Sequence, residues 1–88
     1  MSTRIITIQY DSLEHESGKT VLFGMEAGLP IHYILGARAL DDKETKLAFS
    51  ILKLAEPGPV RLELVIDNDT NEVIQVRLIR PHQNDTLP

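Results

Sequence analysis

Apolar and polar residues alternate over short stretches near the start of this chain, which is the pattern of half-buried β-strands. In residues 4–10, apolar residues occupy every second position and β-branched residues are frequent, so a strand is predicted there. Residues 11–19 are polar and contain Ser17-Gly18, which predicts a loop with a turn. Residues 20–23 have the composition of a second short strand, and the two strands are expected to form a hairpin.

Glycine and proline divide the next part of the chain. Gly24 and Gly28 predict a loop, after which Pro30 favours extended backbone for the residue before it. Residues 31–36 alternate and predict a third strand. The following residues, up to Leu40, are also compatible with the first turn of a helix.

An amphipathic helix is predicted from about Asp42 to Ala55. Asp41 and Glu44 have the spacing of a capping pair, and acidic residues suit the first turn of a helix. A Pro-Gly-Pro sequence at 57–59 predicts where the helix stops. The residues predicted on its buried face are Leu47, Ala48, Ile51, Leu52 and Ala55.

Residues 60–80 predict a β-hairpin whose register follows from its apolar positions. A slip of one residue would set polar side chains opposite apolar ones throughout. The predicted cross-strand pairs are Ile66 with Ile74, Leu64 with Val76, Leu62 with Leu78, and Glu63 with Arg77. The last pair joins opposite charges and adds a few tenths to about 1 kcal/mol.

These elements predict an α+β fold, with an antiparallel sheet of about four or five strands packed on one helix. A chain of 88 residues is one domain by size, and we assign it to residues 1–80, with a flexible polar tail at 81–88. The charge of −4 and the scattered basic residues argue against a nucleic-acid partner. With no signal peptide, no membrane-spanning apolar run and no cysteine, the prediction is a cytoplasmic protein that does not act at a membrane.

Residue patterns for covalent or metal chemistry are weak. The sequence at 67–72 resembles the start of a calcium loop, but Glu72 stands where glycine is required, so a polar hairpin loop is the better interpretation. The three histidines are far apart, and neither a metal nor a cofactor is predicted. Tyr10 and Tyr33 lie on apolar strand faces. They either pack in the core or line an apolar bowl that holds a ligand.

A short motif adds a family resemblance. Residues 30–36, Pro-Ile-His-Tyr-Ile-Leu-Gly, with Leu40 four positions later, look like the strand signature of the FKBP-type prolyl isomerases. The strand that ends at Tyr10 and the acidic-Gly turn at 16–19 also resemble that family, at a similar distance from Pro30. The similarity covers roughly residues 5–66 and is greatest with the short, SlyD-like branch, truncated here.

The resemblance implies an FKBP-like fold that binds extended or proline-containing protein segments, with peptidyl-prolyl isomerase as the enzyme activity, if any, and a chaperone role. The implied peptide-binding pocket is formed by Tyr10, Phe23, Ile31, Tyr33 and Leu40. The uncatalysed barrier to rotation about the peptide bond is about 18–20 kcal/mol. An apolar site lowers this barrier by favouring the twisted amide, and it needs no acid, base or cofactor. Weak or residual activity is expected, because Leu22 stands near the family's pocket aspartate, Asp41 follows Leu40 where a pocket floor is expected, and a tight loop replaces the family's flap.

Two alternatives remain open from the sequence. One is a catalytically inert FKBP-like adaptor that binds a protein partner such as the transcription machinery, as the related domain of transcript-cleavage factors does. The other is an unrelated interaction module that forms a homodimer, with residues 73–80 pairing along an exposed hairpin edge.

Overall fold

A computed structural model describes residues 2–54 and 60–79. It contains five strands and two helices: β1 (Thr3–Glu16), β2 (Lys19–Glu26), β3 (Leu29–Ile34), α1 (Ala37–Leu40), α2 (Lys43–Leu54), β4 (Arg61–Asp67) and β5 (Val73–Ile79). The predicted α+β fold, a sheet packed on a helix, is confirmed. The predicted helix end at Ala55, its stop at 57–59 and the tail at 81–88 lie outside the described residues. No helix among the described residues is long and apolar enough to cross a membrane.

All five strands form one antiparallel sheet in the order β3-β2-β1-β4-β5. The sheet curls until its two outer strands meet at one corner. There, Leu35 forms a parallel bridge with Val73, and the Gly36 N–H donates to the Val73 carbonyl at 2.9 Å. The Leu35 N–H donates to the Thr20 carbonyl of β2, also at 2.9 Å. The sheet is therefore a half-barrel that is closed at a single corner.

The concave face of the half-barrel holds the core. Its largest fully buried side chains come from four of the five strands, namely Ile8, Leu22, Leu62, Leu64, Ile66, Val73 and Val76. β1 keeps this face apolar past Tyr10 because it contains a bulge: Tyr10 is opposite Gly24, whereas Ser12 is opposite Phe23. The extra residue, Asp11, shifts the alternation by one position.

The cap of α2 differs from the prediction. Asp42, not Asp41, is the N-cap: its Oδ2 accepts from the Thr45 N–H at 3.0 Å, whereas Asp41 follows the end of α1. The predicted capping pair of Asp41 with Glu44 is therefore wrong by one residue. The first turn of α2 favours Asp42 because that residue also accepts bonds at 3.3 Å from the Gln75 amide of β5.

The buried face of α2 is also rotated from the predicted one. Thr45 and Ala48 are 2% exposed, and Phe49 and Leu52 pack against the core. Leu47, predicted to be buried, is 56% exposed. The rotation has a polar cause, because Thr45 Oγ1 turns inward and accepts from the Val76 N–H of β5 at 2.8 Å.

Register and strand bounds are partly as predicted. Leu64–Val76, Leu62–Leu78 and Glu63–Arg77 are paired as expected, and the Arg77 guanidinium lies 3.2 Å from the Glu63 carboxylate. Ile66, however, is opposite Val73, because a bulge leaves Ile74 outside the alternation. The predicted loops at 11–19 and at Gly24 are wrong. β1 extends to Glu16 and Gly24 lies within β2, so the turns are Ser17-Gly18 and Ala27-Gly28.

Candidate functional site

β3 is an outer strand of the sheet, but its composition is that of an inner one. Five of its six residues, Leu-Pro-Ile-His-Tyr-Ile, are apolar or aromatic, and they occupy both faces. A strand that is apolar on both faces is typical of a position covered on both sides. Outer strands usually carry charges or other features that discourage pairing, and β3 has only Pro30. This strand is therefore the candidate binding site.

The backbone of β3 presents a short row of hydrogen-bonding groups away from β2. The two-residue turn at Ala27-Gly28 makes Glu26 and Leu29 the closing pair, so residues 29, 31 and 33 direct their N–H and C=O groups toward β2. Pro30, His32 and Ile34 direct theirs outward. Among the described residues, no hydrogen bond uses the outward groups of His32. This gives an open edge from Pro30 to Ile34.

Both ends of this open edge are fixed by the fold. At one end lies the Ala27-Gly28 turn, where φ is 51° and 82°, a pair of left-handed conformations that makes the tight hairpin. At the other end, Gly36 is bonded to Val73, and the same bridge directs the Ile34 carbonyl toward the Val73 N–H. Within the described part of the chain, the outward groups left without a partner are the Pro30 carbonyl, the His32 N–H and carbonyl, and the Ile34 N–H.

The opposite edge of the sheet is in contact with α2 at Val76 and Gln75. The outward N–H of Val76 in β5 is bonded to Thr45 of α2, and Gln75 is bonded to Asp42. The predicted dimer through residues 73–80 would have to displace these contacts at Val76. Among the described residues the two outer strands therefore differ: α2 bonds the outward backbone of β5 at Val76, whereas the outward groups of His32 in β3 make no hydrogen bond.

On the concave face, a row of residues crosses from β1 to the open edge. Tyr10 is opposite Gly24, and Gly24 is opposite Ile31. Gly24 is required by the bulge, because a Cβ there would overlap the Gln9 carbonyl oxygen and lie 3.0 Å from Ile8 Cδ1. Tyr10 and Ile31 thus flank a position that has no side chain of its own.

Tyr10 connects this row to the helix. Its ring meets the ring of Phe49 of α2 edge to face, with centroids 6.3 Å apart, and its N–H donates to the Val60 carbonyl at 2.7 Å. Burial, and to a lesser extent the adjacent Asp11 carboxylate, raise the pKa of the Tyr10 phenol above its ordinary value. The phenol therefore stays neutral at physiological pH, which suits a packing or hydrogen-bonding role and not that of a base.

The five residues predicted to form a pocket do not all share one surface. Tyr10, Ile31 and Tyr33 are on the concave face, half-buried and packed against the core. Phe23 is on the convex face, where its ring lies 5.9 Å from that of His32. Leu40 is at the end of α1 and is 48% exposed. Tyr10, Ile31 and Tyr33 could therefore contact one ligand. Phe23 is kept from it by the bulge at Asp11, which sets its face, and Leu40 by its position at the end of α1.

Two further depressions lie away from these residues. One, of about 400 Å³, is on the convex face between β1, β4 and β5, with Ile5, Val65 and Ile74 among its lining residues. The other, of about 110 Å³, lies between α2 and Leu78. Among residues 2–54 and 60–79, no group of three or more metal-ligand side chains is close enough to hold an ion.

Sequence reasoning missed the open edge, because strand order cannot be read from alternation within a strand. The available signal was composition: β3 has no charged residue, and Leu29 at its start is 67% exposed. Comparison with protein-family models, with curated proteins and with solved structures found no match to the chain.

Proposed function

We propose that this protein is an interaction domain that binds an extended polypeptide segment along the open edge of β3. The observation that carries the proposal is that, among the described residues, the Pro30 carbonyl, both outward groups of His32 and the Ile34 N–H have no hydrogen-bond partner, in a strand that is apolar on both faces. An extended segment added at a sheet edge gains main-chain hydrogen bonds, and its alternate side chains contact the two faces. No catalytic group is required.

The side chains beside the edge define the segment that would be bound. On the concave side, Leu29, Ile31 and Tyr33 offer apolar contact. On the convex side the edge carries Pro30, His32 and Ile34, with Met25 and Phe23 of β2 behind Pro30 and His32. The bound segment is therefore one with apolar residues at alternate positions, and proline fits where its nitrogen points away from β3. The proposal keeps the binding of proline-containing segments that the FKBP resemblance implies.

Efficient isomerisation is not part of the proposal. An X-Pro bond is rotated faster in a site that surrounds it with apolar walls, and only Tyr10, Ile31 and Tyr33 of the five candidate residues face the same side. A bound X-Pro segment would thus be held in an extended state. Any isomerase activity is therefore expected to be weak or residual.

The test is a titration of the isotope-labelled protein, followed by NMR, with a peptide of about six residues that alternates apolar and polar side chains and contains one proline. Binding should shift the amide signals of His32 and Ile34 most, together with Ile31 and Tyr33. The control is the same peptide with N-methylated backbone nitrogens, which cannot pair along an edge. Exchange spectra of the cis and trans peptide signals in the same samples measure isomerisation.

A matched pair of variants locates the site. Leu29→Ser and Leu47→Ser each remove one leucine of similar exposure, 67% and 56%, but only Leu29 is beside β3. Peptide affinity should fall in Leu29→Ser and remain unchanged in Leu47→Ser. If millimolar peptide shifts no β3 signal, or if the N-methylated peptide binds equally well, the edge is not the binding site.

A further inference from the structure

The open edge of β3 is self-complementary, and we propose that two copies of this chain pair through it about a twofold axis at His32. Four backbone groups point outward: the N–H and carbonyl of His32, the N–H of Ile34 and the carbonyl of Pro30. This set has two donors and two acceptors. A twofold axis at His32 would relate the outward groups of residue 30 to those of residue 34. Two of those groups are not available, because proline has no N–H and the Ile34 carbonyl is directed toward Val73.

Antiparallel pairing with a second copy uses all four groups. With His32 opposite the second copy's His32, the two residues exchange both of their hydrogen bonds. Two positions along, Ile34 is opposite the second copy's Pro30, so the Ile34 N–H donates to that proline's carbonyl. The bond that would be missing in this pair runs from the proline nitrogen to the Ile34 carbonyl, which the Leu35–Val73 bridge already directs toward the Val73 N–H.

Pro30 therefore selects this arrangement instead of preventing it. A proline in an edge strand normally reduces pairing, because it removes a donor. In the register centred on His32 the absent donor falls opposite the engaged acceptor, in both halves of the dimer. A shift of two residues in one direction would set Pro30 opposite the second copy's His32, whose carbonyl would then have no donor. A shift of two residues in the other direction would set Pro30 opposite Gly36, whose N–H is already bonded to Val73. The register at His32 is the one that leaves no unpaired group within the edge.

Side chains on both faces add contact in the same arrangement. Ile31 would lie opposite the second copy's Tyr33 on the concave side. On the convex side His32 would meet the second copy's His32, and each of these rings is backed by the tilted ring of Phe23 in its own chain. Interfaces about a twofold axis are built from one patch that matches itself. This inference does not depend on the proposed peptide binding, although both use β3, so that a bound peptide and a second copy exclude each other.

The experiment measures mass as a function of protein concentration in the full chain by sedimentation velocity, without peptide. The wild type should pass from one copy to two as concentration rises. His32→Pro removes an outward donor and breaks no bond to β2, so it should raise the dissociation constant about tenfold or more, because two of the four bonds are lost. His32→Val keeps the N–H and should dimerise like the wild type.

Two sedimentation results would overturn the inference: a wild type that stays monomeric up to millimolar concentration, or a His32→Pro protein that remains folded and dimerises like the wild type. If His32→Pro fails to fold, a mixed sample of labelled and unlabelled wild-type chains gives the answer. Close contact between the Hα protons of Ile31 and the second copy's Tyr33 supports the register, and a dimer without that contact refutes it. A monomer that binds peptide would remove this inference and keep the proposed function, whereas a dimer that binds no peptide would do the reverse.

Discussion

The contact between Thr45 and Val76 gives the sharpest prediction for stability. Thr45 is 2% exposed, and its Oγ1 accepts from the Val76 N–H at 2.8 Å while its own hydroxyl is 3.2 Å from Asp42 Oδ2. Thr45→Val keeps the shape of the side chain and removes the oxygen. The Val76 N–H is then buried with no acceptor, which costs about 1–3 kcal/mol. The Asp42 carboxylate is partly exposed, so water replaces its lost bond and adds little.

The magnitude is measurable because the domain is small. At about 0.05–0.15 kcal/mol per residue, 88 residues give a free energy of unfolding of roughly 4–13 kcal/mol. Urea denaturation with an m-value of about 1 kcal/mol/M should therefore show a midpoint lower by about 1–3 M for Thr45→Val, with an unchanged slope.

Two further variants separate the hydroxyl from the methyl group. Thr45→Ser keeps the hydrogen bond and loses one buried methyl group, at a cost of about 1 kcal/mol, and Thr45→Ala loses both. The hydroxyl effect is thus measured twice, from threonine to valine and from serine to alanine, and the two values should agree. If both differences are below about 0.5 kcal/mol, the bond does not stabilise the packing of α2 on β5.

Two other predictions concern the bulge and the helix cap. Gly24→Ala should destabilise the protein by about 2 kcal/mol or more, since the new Cβ meets backbone at Gln9. Gly28→Ala, which has open space but a φ of 82°, should cost only about 1–2 kcal/mol, and the opposite order in denaturation would contradict the bulge. At Asp42, the Thr45 N–H above all, with Gln75 and the Thr45 hydroxyl, holds the carboxyl pKa below its ordinary value. Its stabilising effect is therefore present above about pH 4 and is lost as pH falls through the lowered pKa. Asp42→Asn keeps a cap, and its denaturation midpoint should fall less than that of the wild type as pH is lowered from neutral. An equal fall in the two proteins would rule out this role of Asp42.

Hairpin register was predictable where alternation is unbroken. Leu62, Leu64, Val76 and Leu78 keep strict period two, and burial of one face leaves a single register for them. The prediction failed at Ile74 because a bulge inserts one residue, and an alternating sequence gives no sign of which residue that is. The same applies to β1, where Asp11 hides the continuation of the strand to Glu16.

The candidate site was less predictable, because it depends on contacts between distant parts of the chain. The motif around Ile31 and Tyr33 lies on β3, but Phe23 was assigned to the pocket without knowledge of its face. Its parity depends on the bulge at Asp11, which is on another strand. The rotation of α2 was also hidden. Thr45 was overlooked as a core residue because its partner, the Val76 N–H, is a backbone group that no side-chain pattern shows.

The way the half-barrel closes also limits how strongly its open edge can bind. Between the Ala27-Gly28 turn and the bridge at Leu35, only four outward backbone groups remain, and at about 0.5–1.5 kcal/mol net each, four bonds yield roughly 2–6 kcal/mol. Association costs about 4–15 kcal/mol in lost translational and rotational freedom, so backbone pairing alone does not hold a partner. The remaining free energy has to come from side chains. Leu29 is two-thirds exposed at the start of the strand, and covering it fully would contribute up to about 1–2 kcal/mol. The edge is therefore suited to reversible, concentration-dependent contacts, and the proposed second copy and extended segment would compete for the same four groups.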